Sequence, residues 1–228
     1  MPTISLIIAG GGSSTRFGGV IGKIYLPIAS KPLFLWSLDC FSSFLEITQR
    51  LLVVAADDLE MVRGKWGPDL QQRQVELVAG GPRRFDSVRN ALDLVDRSVD
   101  LVAVHDAARP AISPTVIAEV FARAAVSGAA IVARQVNETL KKADSASRAT
   151  HIPDRSSYWL AQTPQVFSQD LIIQAYASWP REKTEPTDDA QVVEALGQKA
   201  ALVAAGAENI KVTTHEDLKL AESILLSR

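Results

Sequence analysis

Short apolar runs alternate with longer stretches of helical spacing along this chain. The runs cover Ile4–Ala9, residues 51–56, Val75–Ala79, residues 101–105 and residues 129–133. Most are rich in Val, Ile or Leu, as parallel strands buried on both faces are. Between them, residues 32–44, 58–66, 85–94 and Pro114–Ser127 carry helical patterns, with Pro32 and Pro114 suiting first helical turns. This alternation predicts an α/β fold with a mostly parallel sheet covered by helices on both faces. Ligands of such sheets sit beyond the carboxyl ends of the strands. A glycine-rich loop follows the first run, GGPRRFDS the third and HDAARP the fourth, so the three segments are expected to meet at one edge.

Residues 137–157 break the pattern. They are polar, centred on KKADSASRAT, with little core-forming material, and read either as a protruding hairpin arm or as a surface loop. Helical patterns resume at 171–179, 188–196 and His215–Leu226, with strand-like runs at 200–204 and 210–212. At 228 residues without an internal repeat, the chain is expected to form one domain, 1–228.

Composition narrows the partners. The formal net charge of −2 gives no bulk attraction to nucleic acid or an anionic membrane, so any anion must be bound locally. Cys40 is the single cysteine, which excludes an intrachain disulfide and fits a reducing compartment. No run is long and apolar enough to span a bilayer. The N-terminus has neither a secretory signal pattern nor an Arg/Ser-rich leader, so a cytoplasmic location is expected.

The candidate chemistry begins in the first loop. Gly10, Gly11 and Gly12 follow a buried strand, and Arg16, Gly18, Gly19 and Lys23 come next. Such a loop brings backbone N–H groups close to an anion, and two cations seven residues apart can flank a phosphate chain. It is not a Walker A motif, which would need glycine at 17 and Ser/Thr at 24, where Phe17 and Ile24 stand. Nor is it a dinucleotide fingerprint, which would need glycine at 15, where Thr15 stands. The competing reading is a surface turn with solvated charges.

Asp106 closes an apolar strand, from where it can reach a ligand crevice and hold Mg²⁺, or else cap a turn. His105 beside it reads as structural and is assigned no role. Gly80 and Gly81 permit close approach to a planar ligand, and Ser87 can bond a base edge or support the next helix. Lys211, between Ile210 and Val212, is an edge charge or reaches into the crevice. Thr187-Asp188-Asp189 reads as a helix N-terminus, suited to a phosphate or to simple capping. The sequence has no His/Cys metal cluster and no G-x-S-x-G. Cations, backbone amides and one carboxylate suit phosphoryl or nucleotidyl transfer.

Over essentially its whole length the chain resembles the 2-C-methyl-D-erythritol 4-phosphate cytidylyltransferases of the non-mevalonate isoprenoid pathway. The resemblance is carried, in order, by AGGGSSTRFGG, GKIYLPI, KPL, GGPRRFDSV, VHDAARP, NETLKKA, DRSSYWLAQTPQVF, TDDA and ENIKVTTHEDL. It implies a single Rossmann-like nucleotidyltransferase domain that uses CTP and a polyol phosphate with Mg²⁺. It implies that the glycine loop holds the CTP phosphates and that Arg16 and Lys23 stabilise the transition state. Asp106 matches the Mg²⁺ carboxylate. Gly10, Gly11, Gly81 and Ser87 match positions around cytosine and ribose. Arg109, Thr139, Thr163 and Thr187 match substrate contacts, and Arg155 and Lys211 the residues that orient the acceptor. The polar arm becomes a dimerisation hairpin, so Thr139 and Arg155 are expected to serve the partner subunit of a homodimer.

The chain departs from the family pattern at Ser14, Gly22, Ile24 and Pro82, and has TDDA where TDEA is common; the charged residues are intact. Rival readings are a ribitol 5-phosphate cytidylyltransferase, a sugar-phosphate nucleotidylyltransferase using another base, and a non-catalytic nucleotide-binding protein. Through that resemblance, the segment around Gly81 and Ser87 implies cytosine, and HDAARP with DRSSYW implies methylerythritol phosphate.

Overall fold

The computed structural model describes residues 1–11, 22–180 and 185–227. In chain order its strands are β1 (Ile4–Ala9), β2 (Pro27–Ile28), β3 (Lys31–Pro32), β4 (Ile47–Val54), β5 (Val75–Ala79), β6 (Leu101–Asp106), β7 (Ala129–Gln135), β8 (Lys142–Ala143), β9 (Ala149–His151), β10 (Trp159–Ser168) and β11 (Ala201–Ala204). Its α-helices are α1 (Leu33–Asp39), α2 (Leu59–Gln72), α3 (Arg84–Leu92), α4 (Pro114–Ser127), α5 (Gln169–Ser178), α6 (Asp189–Glu194) and α7 (His215–Leu226). The main sheet has the order β11-β7-β10-β6-β1-β4-β5. Its pairs are parallel except for β10, which runs antiparallel to both β6 and β7.

Strand β1 shows why the runs are so largely apolar. Ile4, Leu6 and Ile8 enter one core cluster with Phe34, Val62 and Ile117 from α1, α2 and α4. Ile7 enters the other with Val88, Ile172 and Val193 from α3, α5 and α6. Alternate side chains point to opposite faces, so a strand covered on both faces is mostly apolar, and its one polar residue, the buried Ser5, is satisfied by a hydrogen bond to Gln49. Each buried apolar side chain stabilises the fold by about 1.5–3 kcal/mol. The predicted α/β architecture with helices on both faces is therefore the observed one. Helix α7 packs Ala221 into a smaller cluster with Ile28, Leu33, Ala108 and Val212.

Local signals fix several ends. Ser113 caps α4, Pro114 opens it, and Gly128 closes it at φ +75°. Thr214 and Asp217 form a capping box on α7, and the Asp217 carboxylate also accepts from the Thr213 N–H and hydroxyl. This anchors the segment just after Lys211.

Other expectations are corrected. Pro32 sits at the N-cap of α1 rather than in its first turn, and α1 ends at Asp39, before the predicted 44. Helix α2 runs past residue 66 through Pro68, because Val62, Trp66 and Leu70 continue one buried stripe at four-residue spacing. Strand β4 starts at Ile47, four residues before its apolar half. The run 210–212 is not a strand; Val212 makes a single backbone bond to the Ala108 carbonyl.

Strand β10 was not expected, since Pro164 and the polar Gln162, Thr163 and Gln165 hide its periodicity. The register shifts between Ala161 and Gln165 where it passes β7, which accommodates the proline. The polar arm is a hairpin, β8 with β9, followed by a 3-10 turn at Arg155–Ser157. It leaves and rejoins the sheet at facing positions. Gln135 lies opposite Trp159, and the Val136 N–H donates to the Tyr158 carbonyl.

Candidate active site

The carboxyl ends of β1, β5 and β6 do bring the three predicted segments together. The Gly10 N–H donates to the Val53 carbonyl, the Ala107 N–H to that of Ala9, and the Gly80 N–H to that of Val54. Each loop thus continues its strand's ladder for one residue before turning away. Gly11 and the turn after β5 are in contact: a Cβ on Gly11 would stand 2.9 Å from Ser87 Oγ and 3.4 Å from the Gly80 Cα. Only glycine lets these loops approach so closely. The Ser87 hydroxyl accepts from the Gly81 N–H at 3.1 Å and lies toward its carbonyl oxygen at 3.3 Å. Ser87 lies within α3, so it ties the turn before that helix rather than supporting the helix from outside, and it also lines the crevice.

The crevice has two adjoining lobes. Gly10, Gly11, Lys23 and Ser87 line the first. Arg109, Thr163, Gln165 and Thr187 line the second. Arg84, Asp106 and Lys211 line both. A broader groove of about 620 Å³ along α2 and β5 contains none of the predicted site residues.

Asp106 is the electrostatic centre. Its carboxylate lies 2.8 Å from Lys211 Nζ and 3.5 Å from the Nε of both Arg84 and Arg109. Burial alone would raise its pKa, but Arg84, Lys211 and Arg109 hold it far below the usual carboxylate range. The charge on Asp106 is therefore permanent at neutral pH. Arg84 has a second, bidentate partner, Asp189, at 2.9 and 2.7 Å. Burial would lower the guanidinium pKa, but Asp189 and Asp106 more than offset it. Asp189 is fully buried and also accepts from the Tyr176 hydroxyl, while Phe85 stacks on the Tyr176 ring. The start of α3 is thereby clamped to the start of α6.

Beneath the second lobe lies a buried polar layer. The Asn209 amide donates to Gln162 Oε1 at 2.8 Å and to the Thr163 carbonyl at 3.1 Å. The Asn209 carbonyl in turn accepts from Arg109 Nη1 at 2.8 Å. Gln165 donates to Asp188 and accepts from the Ala190 N–H. His105 is fully buried, and desolvation pushes it down to about 4, so its ring is neutral near pH 7.

The predicted residues fall into groups. Gly10, Gly11, Lys23, Ser87, Asp106 and Lys211 meet in the first lobe, and Arg109, Thr163 and Thr187 in the second. Gly81 lies just outside, bordering a surface groove with Pro82 and Asp86. Thr139 and Arg155 are exposed on the arm, outside both lobes of their own chain, and the Arg155 guanidinium donates to the Asn137 carbonyl. Gly12 and Arg16 lie outside the described residues.

Thr187-Asp188-Asp189 does begin a helix, but the Asp188 carboxylate already accepts from the Gln191 N–H. Asp188 therefore caps the helix, while Thr187 just before it lines the second lobe. The sequence reading missed Arg84, Asn209, Gln162, Gln165 and Asp189. The second arginine of GGPRRFDS was the available signal for Arg84. Asp189 stood in the helix N-terminus read at 187–189, and the other three show no local sign.

Among the described residues no group of three or more His, Cys, Asp and Glu could hold a metal. A lone strand-end carboxylate still suits Mg²⁺, which takes one or two carboxylates plus substrate phosphates and water.

The chain matches a family model described as 2-C-methyl-D-erythritol 4-phosphate cytidylyltransferase over residues 4–227. It is 38% identical over 221 residues to a protein of that name from Endomicrobium trichonymphae, covering 97% of this chain and 98% of the relative. A protein of the same name from Caldanaerobacter subterraneus is 35% identical over 228 residues, with 97% and 98% covered. The crystal structure of the Thermus thermophilus protein of that name is similar at TM-score 0.79 and 32% identity, covering 97% of this chain and 98% of its own. That of a 4-diphosphocytidyl-2C-methyl-D-erythritol synthase from Anaerococcus prevotii gives TM-score 0.85 at 27% identity, with 100% and 97% covered.

Proposed function

This chain belongs to the 2-C-methyl-D-erythritol 4-phosphate cytidylyltransferase family, and from that premise we propose that it transfers CMP from CTP to 2-C-methyl-D-erythritol 4-phosphate. The products are 4-diphosphocytidyl-2-C-methyl-D-erythritol and pyrophosphate. The observation that carries this reading is the shared wall of the two lobes. A nucleotide in the first and an acceptor phosphate in the second would meet at Arg84, Asp106 and Lys211.

In the step itself, an oxygen of the acceptor phosphate attacks the α-phosphorus of CTP. The new P–O bond forms as the bond from the α-phosphorus to the bridging oxygen of the β-phosphate breaks, and that electron pair leaves with pyrophosphate. A phosphate monoester is largely dianionic near pH 7, so the attacking oxygen needs no general base. Positioning and charge stabilisation then make up the catalysis.

Lys23, lining the first lobe, and Arg16 of the glycine loop are assigned to charge growing on the α-phosphoryl oxygens and the leaving group. Gly10, Gly11 and Gly12 offer backbone to the phosphates, and Gly81 and Ser87 border the cytidine. Lys211, Arg109, Thr163 and Thr187 hold the acceptor. Asp106 would hold Mg²⁺, which supplies Lewis-acid neutralisation of the phosphate charge.

Thr139 and Arg155 act, in this reading, on the partner subunit's acceptor within a homodimer. Their exposure on an arm outside their own crevice supports that assignment. Cytoplasmic residence belongs to the same reading; the single Cys40 accords with a reducing compartment. Among the described residues no helix is long and apolar enough to cross a membrane.

Pyrophosphate release from CTP and Mg²⁺ tests the function, with 2-C-methyl-D-erythritol 4-phosphate and ribitol 5-phosphate compared side by side. Release with the first acceptor alone is expected. Release with ribitol 5-phosphate alone would keep the nucleotide chemistry and overturn the acceptor. Release with neither would favour a nucleotide-binding protein.

A further inference from the structure

His105 was left without a role by the sequence, yet it bonds the backbone of Arg109 directly and reaches that of Asp106 through Thr163. Its Nε2 lies 2.9 Å from the Arg109 carbonyl oxygen. That oxygen can only accept, so Nε2 carries the proton and donates. In the neutral ring Nδ1 is then an acceptor, and the Thr163 hydroxyl lies 3.2 Å from it. The same hydroxyl accepts from the Asp106 N–H at 3.0 Å. Each donor and acceptor is used once, in one direction: Asp106 N–H to Thr163, Thr163 O–H to Nδ1, Nε2–H to the Arg109 carbonyl. The Arg109 N–H closes the turn by donating to the Asp106 carbonyl at 3.0 Å. Phe41 packs edge-on to the ring at 5.0 Å, and both His105 and Thr163 are buried.

We propose that His105 is a positioning residue whose two ring nitrogens hold two different functional groups: Nδ1, through Thr163, the backbone at Asp106, and Nε2 the backbone at Arg109. Asp106 is the candidate metal carboxylate and Arg109 a candidate acceptor contact, so one ring sets their spacing across the two lobes. The proposal rests on the cytidylyl-transfer reading for what these groups bind. The geometry also predicts something independent of substrate, the tautomer itself.

The first test is therefore made on the substrate-free wild type. With histidine ring nitrogens labelled with 15N, NMR is expected to show His105 as the Nε2–H tautomer. An Nδ1–H tautomer would overturn the proposal, whatever the enzyme's acceptor proves to be.

The second test separates the two arms. In His105→Gln the side-chain amide reaches the Nε2 position and keeps the bond to Arg109, but leaves Thr163 without its acceptor. In His105→Asn the amide oxygen sits near the Nδ1 position and keeps Thr163, but loses Arg109. His105→Gln is expected to weaken Mn²⁺ binding, measured with CTP present and no acceptor, by roughly tenfold, the scale of one buried hydrogen bond. Its KM for the acceptor phosphate should rise less than that, because Arg109 stays held even though Thr163, itself an acceptor contact, loses one hydrogen bond. His105→Asn should do the reverse. A ring that only fills space would shift both constants together or neither, and either result overturns the proposal. Should a histidine variant fail to fold, Thr163→Val breaks the Nδ1 arm from the other end. It is expected to weaken Mn²⁺ binding as His105→Gln does, and unchanged Mn²⁺ affinity would be fatal to that arm.

Discussion

The two lobes of the crevice are built from different materials. The first is largely backbone: glycines after β1 and β5 packed against each other, with Ser87 and Lys23 at its margin. The second is held by directed side-chain hydrogen bonds: Arg109 to the Asn209 backbone carbonyl, Asn209 to Gln162 and the Thr163 backbone carbonyl, and Gln165 to Asp188 and Ala190. A backbone wall is set by steric exclusion, and a single added methyl harms it. A side-chain wall is set by donor and acceptor matching, and a single unpaired partner harms it.

Lys23→Ala should produce the largest change, lowering kcat on the order of 10²–10³-fold while CTP binding survives in part. Steady-state and CTP-binding measurements check this. Equal turnover by variant and wild type would remove the first lobe from the chemistry.

Asp189→Ala should act on the second lobe through stability. It leaves Arg84 without its bidentate partner, at a cost of about 3 kcal/mol, the low end for a broken buried pair because Arg84 keeps 26% of its side-chain exposure. Chemical denaturation would measure it. A loss below about 1 kcal/mol would mean the clamp between α3 and α6 is idle.

Gly11→Ala should cost about 1–3 kcal/mol by overpacking against Ser87 and raise the KM for CTP more than that for the acceptor. A rise confined to the acceptor KM would reverse the assignment of the lobes.

Arg155→Ala should spare the fold, since the residue is exposed, and lower kcat/KM for the acceptor roughly tenfold. An unchanged kcat/KM would take the arm out of the reaction.

The smallest effect is a control remote from both lobes. Burial alone would raise the Asp39 pKa, but Arg73 and Lys31 hold it below its ordinary value. A carboxylate depressed in the folded state contributes stability above its unfolded pKa near 3.9, and that contribution fades as pH falls through the folded value. Wild type should therefore exceed Asp39→Asn in stability at neutral pH, with the gap closing below about pH 4. A gap that widened in acid would contradict the pairing.

The same contrast explains what could be read in advance. The backbone lobe is written locally, because a strand covered on both faces is mostly apolar and a close-packed loop must be glycine. β1, β6, Gly10, Gly11 and Asp106 were legible for that reason. The side-chain lobe depends on partners far apart in sequence. Arg84 meets Asp189 across 105 positions, and Asn209 meets Gln162 across 47. Strand β10 escaped because three buried polar residues and Pro164 erase its period, and their partners are visible only in three dimensions. Residues 210–212 misled in the other direction. Ile210 and Val212 are apolar because they pack with α7, not because they extend a sheet. Thr139 and Arg155 came from family resemblance alone, and nothing local to the arm marks them.

The closed root of the arm gives the molecule a form of modularity. The chain departs at Gln135 and returns opposite it at Trp159, held by the strand pairing and by the Val136–Tyr158 bond. Lengthening a loop whose ends are already pinned costs little, about 0.6 kcal/mol per doubling. The excursion can therefore change length and surface over evolutionary time while the sheet that carries Asp106 stays in register. Changes to the arm's surface and changes to the crevice can thus accumulate on this chain with little mutual interference.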